Sequence, residues 1–502
     1  MIPFLQPLVS SIFIEEATVQ DLQRAFQNKS LTSKQLVRHY RDKIFIQSPV
    51  LKAVVEINPD AMSQADAADR ERAALAPGKS LGDLHGIPIL LKDNIATKDK
   101  MNTTAGSLAL LRSVVPRDAS VVSKLRQAGA IILGKTSLTE WANFRGKRMP
   151  GGWCARTGQG KNPYNNKADT CGSSSGSAIS AAANLAAVTL GTETDGSILC
   201  PSSNQAVVGI KPTVGLTSRA GVIPITPRQD TVGPICRTVA DAVYVLDAIV
   251  GEDSNDEATI EASKYIPKGG YKQYLKIDGL KGKRLGLLRK FFDFTYDPGL
   301  GEAFERHFST LSERGAVLVE HMDTSKFMEA INGIQDYEIL ATTAEFKLAI
   351  NSYLENLEVS SVRSLKDLIE FNNKTPAEKI EEYGQERFLE AEATNGIGET
   401  EKHAIEELER RARDGFEKLM TENNLDAFLS PFGSTAFILA TGQFPGIIVP
   451  AGYDNEGVPF GLCFGGLKGS EPTLIEIAYA FEQVTKIRMP PSFKHRKLPV
   501  LD

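Results

Sequence analysis

T-C-G-S-S-S-G-S-A-I-S-A-A-A-N-L-A-A-V-T-L-G-T-E-T-D-G-S occupies positions 170–197, and its layout decides the fold class. A run of small polar residues opens an alanine-rich helix, expected over Ser177–Val188. A short strand, Val188–Leu190, follows at once and ends in a turn containing Gly191 and Gly196. The same alternation runs outward on both sides. Upstream, H-G-I-P-I-L-L-K-D-N-I (85–95) is a short apolar run that fits a strand buried on both faces, with Lys92 at its end. A helix over Asp118–Ala128 and a buried strand over Ala130–Leu133 follow it. Downstream, V-V-G-I-K-P-T is a strand ending at Pro212, and a helix starts at Val239. This alternation predicts an α/β sandwich with a largely central sheet.

The ends of the chain fit the same scheme. Leu22, Phe26, Leu36, Val37, Tyr40 and Ile44 recur at helical spacing, broken near Asn28–Thr32, which predicts two amphipathic helices with Thr32 and Ser33 supplying the second N-cap. A further helix is expected from Pro59 to Leu75. From about 255 to 424 the text turns charged and helical, with strands at 284–288 and 316–320, and reads as a helical elaboration over the sheet. Apolar strand-like text returns at 426–431, 446–451 and 460–466, and a last helix spans Thr473–Gln483. No internal repeat breaks the 502 residues, so one α/β domain over 1–502 with that elaboration is expected.

Composition excludes several classes. A chain 42% hydrophobic and 24% charged is globular, and a net charge of −5 provides no field suited to phosphate backbones, so nucleic acid is not an expected partner. The five cysteines (Cys154, Cys171, Cys200, Cys236, Cys463) include no C-x-x-C pair and no histidine at ligand spacing, which predicts a reduced, cytoplasmic protein without metal or cofactor. The N-terminal M-I-P-F-L-Q-P-L-V-S-S-I-F lacks a basic region and is too short to span a bilayer. It reads as a docking segment or, less simply, a processing remnant, and no membrane is expected.

Three motifs offer chemistry. G-A-I-I-L-G-K-T (129–136) matches the phosphate-loop expression, but the strand occupies the positions where the loop must be, so a helix–strand–turn is expected instead. G-S-S-S-G (172–176) satisfies the nucleophile-elbow expression around Ser174, yet no strand leads into it. The later histidines, His307, His321, His403 and His495, lie in charged, surface-like text. Lysine is another base that can activate serine, provided it is neutral. Bringing a lysine to about pH 7 disfavours its charge by about 4 kcal/mol, which burial can supply. Lys92 either gains that burial at its strand's end or emerges into water there. The third motif, T-E-T-D-G-S (192–197), is a tight turn whose successive N–H groups can converge beside Ser197 as an oxyanion hole, worth about 3 to 4 kcal/mol per donor.

At these residues the chain strongly resembles the amidase-signature serine hydrolases. The similar text includes H-G-I-P-I-L-L-K-D-N-I, L-R-Q-A-G-A-I-I-L-G-K-T-S-L-T-E-W, C-G-S-S-S-G-S-A, L-G-T-E-T-D-G-S-I and P-G-I-I-V-P-A-G-Y-D, over about 15–490. The resemblance implies a single α/β/α domain around a mixed sheet and a lysine–serine–serine triad. It makes Lys92 the base, Ser173 the relay on a non-proline cis peptide, and Ser197 the nucleophile. The N–H groups of Thr194, Asp195, Gly196 and Ser197 would hold the oxyanion. Many members carry glycine where this chain has Asp195, Cys171 and Ser175. The T-E-T-D-G-S form, with S-L-K-D-L-I-E-F-N and Y-G-Q-E-R-F-L-E-A-E-A-T, is similar to the peptide amidases, which remove ammonia from C-terminal peptide carboxamides. Beside serine chemistry, Cys171 and Cys200 read as small buried residues.

The implied function is an amidohydrolase that acts through an acyl-enzyme on C-terminal amides of peptides, as a monomer or homodimer, with another small-molecule amide as the first alternative. The alternatives are an aryl or fatty amidase, the glutaminase-type subunit of a tRNA amidotransferase, and a non-enzymatic scaffold.

Overall fold

The computed structural model describes residues 14–76, 79 and 81–492. The N-terminal apolar segment up to Phe13 and His495 lie outside the described residues. Among the described residues there are thirteen strands: β1 (Val54–Ile57), β2 (Pro88–Lys92), β3 (Ile131–Thr136), β4 (Trp153–Cys154), β5 (Gly158–Gln159), β6 (Val188–Glu193), β7 (Val208–Lys211), β8 (Thr231–Cys236), β9 (Arg284–Leu287), β10 (Val317–Val319), β11 (Ala427–Pro431), β12 (Gly446–Tyr453) and β13 (Pro459–Gly465). Eleven form one sheet in the order β1-β3-β2-β6-β8-β7-β12-β13-β11-β9-β10, and β4 pairs with β5 separately. β3, β2 and β6 run parallel, the strands from β6 to β11 alternate antiparallel, and β11, β9 and β10 are parallel again.

Every residue of β2, β3, β6, β7 and β8 is buried, so helices cover both faces of the sheet. That is why these strands read as continuous apolar runs rather than as alternating ones. The helix Ser175–Ala182 packs against β2, β6 and β8. Its Ala and Ser side chains let it lie close, and a Cβ on Gly176 would collide with the main chain of Ser137.

Most expected elements appear with shifted ends. The N-terminal helices are Val19–Gln27 and Ser33–Leu51, the second closed by a capping box between Thr32 and Gln35, so Thr32 alone caps and Ser33 begins the helix. The serine-run helix starts two residues early and stops at Ala182, and β6 runs on to Glu193. β3 continues through Gly134, Lys135 and Thr136, the residues a phosphate loop would need free. A Cβ on Gly134 would strike the Glu56 carbonyl of the neighbouring β1. Within 255–424, β9 and β10 join the edge of the main sheet, and the remaining text forms helices, the longest being Ile334–Glu355. Among the described residues no helix is long and apolar enough to cross a membrane.

Candidate active site

Lys92 is the last residue of β2, in parallel register with Thr136 of β3, and its side chain is 0% exposed. Its Nζ lies 2.7 Å from Ser173 Oγ, 2.9 Å from Ser174 Oγ and 3.0 Å from the Thr192 carbonyl oxygen. Burial lowers it to about 7, against the opposing pull of Glu193 and Asp230. The alternative in which Lys92 emerges into water is therefore closed.

Ser173 and Ser174 sit in the loop that enters the helix Ser175–Ala182. The Gly172–Ser173 peptide is cis, and the Thr139 N–H donates to the Ser173 carbonyl at 2.9 Å. A Cβ on Gly172 would collide with Thr139 Oγ1, which gives the glycine its reason. Ser174 Oγ donates to the Thr192 carbonyl at 3.0 Å and accepts the Thr192 N–H at 3.2 Å. This hydroxyl braces the end of β6, and no histidine approaches it through a hydrogen bond among the described residues. His307, expected on the surface, is buried with Nε2 2.5 Å from the Ala451 carbonyl.

Ser197 lies beyond the turn that follows β6, 8% exposed and lining a cleft of 260 Å³. Its carbonyl accepts the Ser174 N–H at 3.2 Å, which joins the two serine segments. Gly196 holds the turn at φ +74°, a backbone that suits glycine. The buried Glu193 carboxylate accepts the N–H groups of Ile198 at 2.5 Å and Leu199 at 2.9 Å, and the Gly196 N–H faces it as well. Among the described residues, the N–H groups of Asp195 and Ser197 engage no acceptor. Of the four donors expected, Gly196 thus points at Glu193, whereas Thr194, Asp195 and Ser197 line the cleft. Thr194 is fixed from behind, its Oγ1 donating at 2.6 Å to Asp230, which burial pushes up to about 6.

Asp195 opens into the cleft opposite Glu338 of the helix Ile334–Glu355. The surrounding walls, then repulsion from Glu338 and Glu193, push its carboxyl well above the usual range. Glu338 is raised too, mainly by burial, while its Oε1 accepts Gln229 Nε2 at 2.6 Å. The cleft's remaining lining includes Asn143, Phe144, Ile225 and Arg387.

A family model described as Amidase matches residues 35–443. The chain belongs to the amidase family. A probable amidase of Arabidopsis thaliana is 55% identical over 487 residues, covering 97% of this chain and 93% of the relative. The native peptide amidase of Stenotrophomonas maltophilia superposes with a TM-score of 0.88 at 41% identity, over 95% of this chain and 99% of that one. A glutamyl-tRNA(Gln) amidotransferase subunit of Thermosynechococcus vestitus is 32% identical over 493 residues, 93% of this chain and 98% of the relative. This amidase therefore has the mixed central sheet with surrounding helices expected from its sequence.

Several features escaped the sequence reading. Glu193 lies inside the quoted T-E-T-D-G-S turn but drew no role there, and nothing in the local text marks Asp230 or the left-handed turn at Trp141, Ala142 and Asn143 (φ +52°, +51° and +70°). Cys171 and Cys200 are not independent small residues: a disulfide joins them, with Cα atoms 5.9 Å apart. That corrects the expectation of an all-reduced chain, which rested on spacing; distant cysteines become neighbours only after folding. Cys154, Cys236 and Cys463 remain free and buried.

Proposed function

We propose that this amidase hydrolyses C-terminal carboxamides of peptides through Lys92, Ser173 and Ser197. The observation that carries the reading is the environment of Lys92. The Thr192 carbonyl can only accept, so one Lys92 proton goes there, and Ser174 has already committed its own proton to the same carbonyl. Ser174 Oγ therefore accepts the second proton of a neutral amine. The lone pair is left for the Ser173 hydroxyl, 2.7 Å away.

In this reading Ser197 Oγ attacks the carboxamide carbon and passes its proton to Ser173, which passes its own to Lys92. The N–H groups of Asp195 and Ser197, with Thr194 beside them, hold the oxyanion. Glu193 keeps the turn in shape by anchoring Ile198 and Leu199. The proton returns along the same path to the departing ammonia, and water opens the acyl-enzyme by the reverse route.

The substrate class is supported by the cleft. Asp195, Glu338, Asn143 and Arg387 offer acceptors and donors suited to a peptide main chain, with Phe144 and Ile225 for a side chain. A long fatty chain would desolvate those charges without replacing their partners. The helical elaboration, about 255–424, supplies Glu338, Thr342 and Arg387 and so shapes the substrate pocket within the single domain. The likeness to a peptide amidase favours the same substrate, and that to amidotransferase subunits keeps glutamine in the test. The test is ammonia release from an N-blocked dipeptide amide, a fatty amide, an aryl amide and glutamine. The peptide amide should give the highest kcat/KM; preference for glutamine would replace this reading with the glutaminase one.

A further inference from the structure

The Cys171–Cys200 bond brackets both candidate serines and the turn between them, while Lys92 arrives separately from β2. Cys171 stands two residues before Ser173 and Cys200 three after Ser197, with a sequence separation of 29. The direct hydrogen bonds between these segments are long: Ser174 N–H to the Ser197 carbonyl at 3.2 Å, Gln205 Nε2 to the Thr170 carbonyl at 3.3 Å and Asn204 Nδ2 to the Asp169 carbonyl at 3.3 Å. Ser174, next to the relay serine, is held besides to Thr192 at 3.0 and 3.2 Å, well before Ser197 in the chain. Cys171 itself holds φ +52°, a left-handed backbone that a side-chain-bearing residue adopts at a cost, so the loop has other conformations to relax into. On the far side, Cys200 is the second residue of a helix of only six residues, Leu199–Asn204. Both cysteines are half-buried, whereas the three free thiols are fully buried.

We propose that this cross-link is a positioning device for amide hydrolysis, holding the Ser173 loop in register with Ser197. The inference rests on the proposed roles of those two serines. Opening the bond lets the loop drift from Ser197 while the cleft, built largely from other segments, keeps its shape. The chemical step should therefore suffer more than substrate binding. The opening is a two-electron reduction: a dithiol such as dithiothreitol attacks one sulfur and closes to its own cyclic disulfide. Cys171 and Cys200 leave as two thiols.

The experiment compares oxidised enzyme, enzyme reduced while folded, and the Cys171→Ser/Cys200→Ser double variant. It reads kcat and KM for ammonia release and the rate at which a fluorophosphonate labels Ser197. Reduction and the double variant should each lower kcat and the labelling rate about tenfold or more, with KM within about twofold. Reoxidation should restore the reduced wild type, and the double variant should ignore the dithiol. If the double variant does not fold, reduction and reoxidation decide the matter. Equal kcat and labelling rates in reduced and oxidised enzyme overturn the proposal, as does a non-reducing peptide map in which Cys171 and Cys200 are free. If no amide releases ammonia, the substrate reading fails, while the labelling rates still decide the role of the cross-link.

Discussion

Lys92 ends β2 and Lys135 is the next-to-last residue of the adjacent parallel strand β3, one residue out of register, and both are 0% exposed. Burial lowers both, to about 7 for Lys92 and about 8 for Lys135. Their partners differ. Lys135 Nζ donates to the Ile95 carbonyl at 2.7 Å and Thr103 Oγ1 at 2.9 Å, in the field of Asp93, Asp99 and Glu56. Lys92 meets two serine hydroxyls and a carbonyl, and the carboxylates acting on it, Glu193 and Asp230, bond elsewhere. Desolvation makes a lysine willing to be neutral, and each amine meets a hydroxyl, so what differs is where that hydroxyl lies. Thr103 ties Lys135 into the loop after β2, whereas Ser173 and Ser174 belong to the segment whose Ser174 N–H bonds the Ser197 carbonyl beside the cleft, so in the proposed mechanism Lys92 is the amine placed to move a proton.

The largest test of that contrast is removal of each amine. Lys92→Met and Ser197→Ala should each lower kcat for peptide-amide hydrolysis by about a thousandfold or more. Lys135→Met should keep kcat within a few fold in the folded fraction. A comparable loss from Lys135→Met would erase the distinction. Next in size is the serine pair. Ser173→Ala should cost about a hundredfold or more in kcat. Ser174→Ala should show itself mainly as about 1–2 kcal/mol of stability in a denaturant melt, since it frees the Thr192 N–H.

The pH profile sharpens the comparison further. The base must be neutral, so kcat/KM should rise about tenfold per pH unit below about 7 and level off above it. Lys135→Met should leave that limb in place. The sign for stability follows from the same shift. Folding lowers the Lys92 value below that of the unfolded chain, near 10.4. The unfolded chain then binds more protons between about 7 and 10.4, and this lysine's contribution to stability grows as pH rises through that window. Lys135→Met should lower stability too, by about 2 kcal/mol, because the Asp93 carboxylate loses one buried counter-charge while keeping Arg156, read as a lower midpoint in urea.

Much of this fold was legible because buried parallel strands write themselves as apolar runs. P-I-L-L-K and V-T-L are read as strands from their apolar run, though β6 then continues through Gly191, Thr192 and Glu193, which read as turn. β8 escaped because Thr231–Cys236 carries Gly233 and Pro234, residues that usually punctuate strands, yet Pro234 sits opposite Leu190 in the middle of the sheet. β1 escaped because four residues, Val54–Ile57, are too few to show a period. In the site, Lys92, Ser173 and Ser197 stood out through the text around them. Asp230 and Glu338 did not, because each reaches the site from a remote segment and its neighbours in sequence say nothing of that journey.

The sequence by itself determined the α/β class, the strand-end position of Lys92 and the two serine turns, since hydrophobic runs and glycine-bearing turns are local properties. It also carried the family membership. Tertiary structure alone decided which lysines are dry, which hydroxyls each one meets, that Ser174 braces β6, and that Cys171 meets Cys200. Those outcomes depend on desolvation and hydrogen-bond geometry, which exist only once distant segments are packed together.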